Sequence, residues 1–333
     1  MNENRGPSLQ TRFLSPPGWE WDTFRNSTFR NSSGAGLRYG FCEPAKIPRA
    51  RIVLLTGFRE FGEKYFETIH DLLALGYAVW QMDWYGQGGS DRHFDNRQKV
   101  GGASLTGAVA DLKVFFNVVL PKDPETPLVI ISHSTGGLIT LRYLYEHPDT
   151  IAAAVLSAPL FALYANGLPT WLARGLARLA VTTGLSSRYI PGGGDWPHNP
   201  RRVAGDSPTS DDPQRKVLQQ RWMEAYPSLR MGDPTFGWLD SAFRLMREST
   251  RASYLRAVRT PILIGSAGRD ALVKSEAHRR AARLLSGAEL VSFPEAKHEL
   301  FMETDAVRKR WLAEIDRFTD SRISSGRATQ GRR

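Results

Sequence analysis

Residues 128–137 read LVIISHSTGG, an apolar run that turns within one residue, Ser134, into the start of a helix. No other stretch constrains the fold so tightly. A serine on a sharp strand-to-helix turn lifts its hydroxyl clear of a sheet, and the residues two before and two after it must be small, because the two backbones close on each other there. Those residues are Ser132 and Gly136. The usual pattern is Gly-x-Ser-x-Gly; here serine takes the first glycine's place and keeps the position small.

The surroundings agree with such a junction. Short β-rich runs at Arg51–Thr56, Tyr77–Asp83, Leu128–His133, Ile151–Ser157, Pro261–Ser266 and Glu289–Phe293 alternate with helical patterns near 62–75, 104–120, 137–146, 275–285 and 305–318. That rhythm predicts a mostly parallel sheet flanked by helices. Ahead of it, Thr23–Cys42, split by NSSGAG, predicts an antiparallel hairpin that extends one edge of the sheet. Residues 160–235 break the rhythm with proline and glycine between helical pieces, the mark of an insertion after the sixth strand. Within it Leu168, Trp171, Leu172, Leu176 and Leu179 fall at helical spacing while Arg174 and Arg178 project from another side, as in an ordinary packed cap helix, with a membrane-touching helix as the second reading. The resulting division is a discontinuous core, 1–159 and 236–320, a helical cap, 160–235, and a basic tail, 321–333, expected to be disordered.

Charge and cysteine content narrow the chemistry. The formal net charge is +10, of which Arg322, Arg327, Arg332 and Arg333 lie in the tail. No basic motif interleaved with aromatics accompanies it, so no nucleic acid partner is expected; an anionic membrane surface suits the charge better, and a merely solubilising role suits it better still. The single cysteine, Cys42, excludes an intramolecular disulfide and a thiolate metal cluster. The amino terminus lacks the apolar middle of a signal peptide and no run approaches about 20 apolar residues, so a cytoplasmic protein, at most peripheral to the membrane, is expected. The glycine-rich DWYGQGGSDR lacks the spacing of a phosphate or dinucleotide loop and reads as a structural turn. No histidine and acid group has metal-ligand spacing, and neither metal nor cofactor is expected.

A serine hydroxyl becomes a useful nucleophile only beside a base that a carboxylate orients. Two strand ends downstream supply both: Asp270 follows PILIGSAG, and His298 follows AELVSFPEA. Loops at the carboxyl ends of parallel strands converge on one crevice, so groups 136 and 28 residues apart can meet. Among the other histidines, His133 should point away from the serine, His147 ends a helix, and His70, His93, His198 and His278 follow no core strand. Glu276 and Asp240 are alternative acids, both inside predicted helices. A developing oxyanion needs two backbone N–H donors: Thr135, after the serine, and Phe58, after the strand RIVLLTG.

With these residues in place, the chain resembles the α/β-hydrolases, in particular the monoacylglycerol lipases and bacterial lysophospholipases. The likeness spans roughly Arg51 to Glu303 and is carried by GFREFGEKY, MDWYGQGGSDR, SHSTGG, LSAPLF, DSPTSDD, PTFGWL, GSAGRDALV and AKHELFME. It implies an α/β-hydrolase fold, catalytic Ser134, Asp270 and His298, oxyanion amides at Phe58 and Thr135, and a cap that shapes an apolar acyl tunnel. Threonine at 56 and serine at 132 stand where many relatives carry histidine and glycine. The expected activity is serine-dependent cleavage of the carboxylic ester of a monoacyl lipid. A short-chain carboxylesterase and an amino-terminal-trimming peptidase share the fold, the latter needing an acid to hold a free amine, with Asp195, Asp206, Asp211, Asp212, Glu224 and Asp233 as candidates. A ligand-binding relative without catalysis is the non-enzymatic alternative.

Overall fold

The computed structural model describes residues 9–26, 34–101, 104–123, 125–165, 167–196 and 207–330. Its centre is one eight-stranded sheet in the order β1-β2-β4-β3-β5-β6-β7-β8. The strands are β1 Glu20–Asn26, β2 Ala35–Cys42, β3 Arg51–Leu55, β4 Ala78–Met82, β5 Leu128–His133, β6 Ala153–Ser157, β7 Ile262–Ala267 and β8 Glu289–Phe293. β1 and β2 form the expected antiparallel hairpin, which joins antiparallel to β4; β3 to β8 pair in parallel. The hairpin's connecting residues, 27–33, lie outside the described residues.

Alternation along each central strand divides two cores between the faces of the sheet. Val53, Leu55, Ile130, Leu156 and Ile264 point toward α2 (Ser104–Val114), α3 (Thr135–Glu146) and α6 (Phe236–Ser249). Ile52, Leu54, Val129, Ile131 and Leu263 point toward α1 (Phe66–Ala74) and α9 (Asp305–Gln330). These strands read as unbroken apolar runs because both of their faces are buried. The glycine-rich turn is structural: Asp83 accepts from the Gly89 and Gly62 amides at 2.8 and 3.0 Å and from Arg38 Nε at 2.7 Å.

The insertion between β6 and β7 carries α4 (Thr170–Thr182) and α5 (Leu218–Ala225); α6 follows, capped by Thr235, whose hydroxyl accepts from the Trp238 amide at 3.2 Å. The remaining helices, α7 (Ala252–Ala257) and α8 (Ser275–Leu284), flank β7. Two expectations need correction. In α4 the buried residues are the alanines, Ala173, Ala177 and Ala180, whereas Trp171 and Leu179 are 68% and 59% exposed, with Leu168 and Leu176 also outward. The helix comes close to its neighbours through its small side chains, which turns the large apolar stripe to the outside. The basic tail, expected to be disordered, is helical as far as Gln330, because Ile323 extends the buried stripe of Ile315 and Phe318 and Arg322 pairs with Glu289 at 2.8 Å. Residues 331–333, with Arg332 and Arg333, lie outside the described residues. Among the described residues no helix is long and apolar enough to cross a membrane.

Candidate active site

Ser134 sits between β5 and α3 with φ 49° and ψ −114°, a backbone conformation that a non-glycine residue adopts only when its surroundings enforce it. The enforcement is visible. Its N–H donates to the Ser157 carbonyl at 2.9 Å, and its carbonyl accepts from Gly137 at 3.0 Å and Leu160 at 2.9 Å. Gly136 lies so close to β3 that a Cβ there would stand 2.6 Å from the Thr56 carbonyl oxygen, so only glycine fits. Ser132 is fully buried, consistent with the need for a small residue on the strand side.

Asp270 and His298 meet on the loops after β7 and β8. Asp270 Oδ2 lies 2.7 Å from His298 Nδ1, while Oδ1 accepts from the Leu272 and Val273 amides, each at 2.8 Å. The carboxylate therefore holds the imidazole with its proton on Nδ1, leaving Nε2 as the free acceptor. Burial alone would pull His298 down, but the facing Asp270 charge and its hydrogen bond outweigh it, and the net shift is upward. Burial correspondingly pushes Asp270 up, and the His298 charge, its hydrogen bond and the two amides bring it below the usual carboxylate value. Ser134 Oγ and His298 make no direct hydrogen bond here; they are neighbours through Gly57, which adjoins both Ser134 and His133, and through the His133 ring, which packs on His298 at 4.7 Å.

The alternatives lie elsewhere. Asp240 pairs with Arg244 and Arg178 at 3.3 and 3.5 Å, and Glu276 with Arg279 at 3.1 Å. His278 is spent on Ser266 and the Pro159 carbonyl at 2.9 and 2.7 Å. His70 reaches the Leu14 carbonyl, His93 packs on Tyr85 and His147 on Tyr143. His198 lies outside the described residues. His133 donates from Nδ1 to the Ser157 carbonyl at 3.1 Å, and its ring lies against His298. Strand alternation turns it to the face opposite Ser132, and the His298 loop descends onto that same face.

The loop after β3 is held on both sides of Phe58. Gly57 N–H donates to Glu60 Oε2 at 2.5 Å, its carbonyl accepts from Gln87 Nε2 at 3.3 Å, and Arg59 N–H donates to Gln87 Oε1 at 2.7 Å. Among the described residues neither the Phe58 nor the Thr135 N–H has a backbone acceptor. The Phe58 ring packs on Trp238 at 4.1 Å, so the side chain is a packing aromatic.

Beneath this loop lies a buried charged group that linear spacing did not reveal. Glu60, His133 and Glu299 bring ligand-capable atoms within 4.8 Å of one another. The counter-charge there is Lys64, whose Nζ lies 2.7 Å from Glu60 and 2.9 Å from Glu299; Tyr65 donates to Glu60 at 2.8 Å. Burial opposes the Glu60 charge, but Lys64 and His133 overcome it and hold the carboxyl down to about 2, while burial keeps His133 neutral, near 3. An internal ammonium thus occupies the place a cation would take, and the group serves to fix Gly57 and the floor under His298.

This geometry has clear relatives. The family model for serine aminopeptidases, S33, matches residues 46–305. Lysophospholipase L2 of Escherichia coli K12 is 27% identical over 284 residues, covering 83% of this chain and 82% of its own. Mouse monoglyceride lipase is 30% identical over 137 residues, 39% of this chain and 41% of its own. Among solved structures, a soluble variant of the Saccharomyces cerevisiae monoglyceride lipase bound to a substrate analogue superposes with a TM-score of 0.68 at 19% identity, over 95% of this chain and all of that one. The strained serine, the carboxylate-held histidine and a family match across most of the chain lead to one assignment: this protein belongs to the serine aminopeptidase S33 family of α/β-hydrolases.

Proposed function

We propose that this protein is a serine hydrolase that cleaves the carboxylic ester of a monoacyl lipid, a monoacylglycerol or a lysophospholipid, through an acyl-enzyme. The observation that carries it is the Asp270–His298 hydrogen bond of 2.7 Å, next to the strained Ser134 across Gly57 and His133. In this reading His298 Nε2 accepts the Ser134 proton as Oγ attacks the ester carbonyl, and Asp270 stabilises the resulting imidazolium. The Phe58 and Thr135 amides take the oxyanion. His298 then protonates the departing alcohol, and a water activated by the same histidine releases the fatty acid and restores Ser134.

Peptidase activity is less well supported, although the family carries that name. A free substrate amine needs an uncommitted carboxylate, and the cap acids are engaged: Asp233 with Arg59, Asp211 with Lys297 and Arg269, Asp212 with Arg215, Asp195 with Tyr189 and Asn96, Glu224 with Gln220. Asp206 lies outside the described residues. The lipid reading gains support from α4: its outward Trp171, Leu176 and Leu179 flanked by the exposed Arg174 and Arg178 suit an anionic membrane surface on which such substrates reside. Tyr164 and Leu272, both exposed and joined by a backbone hydrogen bond of 2.9 Å, add apolar surface beside the Asp270 loop.

Purified protein and Ser134→Ala should be compared on short and long p-nitrophenyl esters, monoacylglycerol, lysophosphatidylcholine and an aminoacyl anilide. Serine-dependent turnover that rises with acyl length and includes a natural monoacyl lipid is expected. Activity confined to short esters or to the anilide would overturn the lipid assignment. Failure of a fluorophosphonate to label Ser134 would revive the non-catalytic alternative.

A further inference from the structure

We propose that Arg59 is a positioning residue through which the cap holds the oxyanion loop in register, an inference that rests on the oxyanion role of Phe58 given above. Arg59 follows Phe58 directly and has φ 63°. Arginine gains nothing from a left-handed backbone, so such a conformation persists only where the partners around it over-determine it.

Those partners come largely from the cap. The Arg59 carbonyl accepts from Gln219 Nε2 on α5 at 2.8 Å. Its Nη1 donates to Asp233 Oδ1 at 2.9 Å, and its Nη2 to the Met231 carbonyl at 3.2 Å. Asp233 is itself buried and accepts from the Gly194 amide at 3.2 Å, which fixes the carboxylate to the cap. Gln219 also accepts from Lys64 at 3.0 Å, tying α5 to the charged group beneath the loop.

Upstream of Phe58 the core fixes Gly57 through Glu60 and Gln87; downstream Gln87 also holds the Arg59 N–H, and the cap holds the Arg59 carbonyl and guanidinium. The Phe58 N–H lies between the two anchors. If the cap's hold on Arg59 is released, the residue relaxes toward negative φ, the adjoining peptide turns, and the Phe58 N–H loses its aim. A donor only slightly misaligned loses transition-state stabilisation while substrate binding is largely kept, because the oxyanion exists only in the transition state.

The test uses the full chain with Asp233→Asn, alone and combined with Arg59→Gly or Arg59→Ala. Asp233→Asn is expected to lower kcat on a p-nitrophenyl ester about tenfold, short of the roughly 100-fold or more lost with a whole oxyanion donor, with KM within about twofold. The Ki of a trifluoromethyl ketone, which mimics the tetrahedral oxyanion, should rise in parallel with the loss of kcat/KM. Both double variants remove the guanidinium that has lost its carboxylate, but only glycine accepts positive φ without strain. Arg59→Gly should therefore restore most of the lost kcat and Arg59→Ala should not. Unchanged kcat and Ki in Asp233→Asn, or equal behaviour of the two double variants, would overturn the proposal. Should Asp233→Asn fail to fold, Gln219→Leu, which removes the bond to the Arg59 carbonyl, is judged by the same rise in Ki. A wild-type protein that does not react with a fluorophosphonate at Ser134 overturns both this inference and the reading beneath it. A reactive wild type with an indifferent Asp233→Asn overturns this one alone.

Discussion

Asp270 and His298 each carry two opposing influences, and their balance makes a prediction about pH. His298 must be neutral to accept the serine proton, and its pKa lies above that of an ordinary histidine because Asp270 outweighs burial. Turnover should therefore rise with pH through that elevated value. In Asp270→Asn the burial remains and the carboxylate is gone, so the acidic limb of kcat/KM should move to lower pH while kcat falls by about 10³ to 10⁴ as the tautomer is lost. A limb that stays in place would mean that Asp270 does not set the His298 proton affinity. Asp270 and His298 are legible in the chain because each follows a core strand at its carboxyl end. Glu60, Lys64 and His133 are not: Lys64 and Glu60 resemble surface charges of a helix start, and only the fold buries them together beneath the cleft.

At the scale of the element, α4 shows how far periodicity reaches. The apolar stripe of Leu168, Trp171, Leu176 and Leu179 is evident from spacing, but spacing does not say which stripe faces inward. The alanine face wins because Ala173, Ala177 and Ala180 allow close approach to neighbouring cap and core elements, leaving the large side chains outside. If this face meets lipid, Trp171→Ser with Leu179→Ser should weaken co-sedimentation with phosphatidylglycerol vesicles about tenfold or more, since each large apolar side chain is worth about 1.5–3 kcal/mol on full burial. Binding by wild type should fall with salt, reflecting Arg174 and Arg178. Equal binding by wild type and double variant would remove α4 as the contact.

The whole molecule depends on contacts far apart in sequence. Arg49 reaches Asp316 and Asp320 at 2.8 Å, and Glu289 on β8 is held by Arg317 and Arg322 of α9. As far as Ile323, which is 4% exposed, α9 thus belongs to the core. Ile323→Asp should destabilise the protein by about 2–4 kcal/mol, read as a lower urea midpoint, because a buried methyl-rich side chain gives way to an unpaired charge. A midpoint equal to wild type would show that the helix end contributes nothing to folding.

Short apolar runs, helical spacing and small residues around Ser134 suffice to specify a parallel sheet, its edge hairpin, the elbow and the order of acid and histidine. The sheet, the hairpin and the elbow are local, set by periodicity or by steric demands within a few residues, and the acid and histidine are legible from the strand ends they follow. Three things required the folded chain: which face of α4 is covered, how far α9 continues, and which cap groups hold Arg59. All three depend on what packs against a residue from a distant segment, and neither propensity nor spacing carries that information.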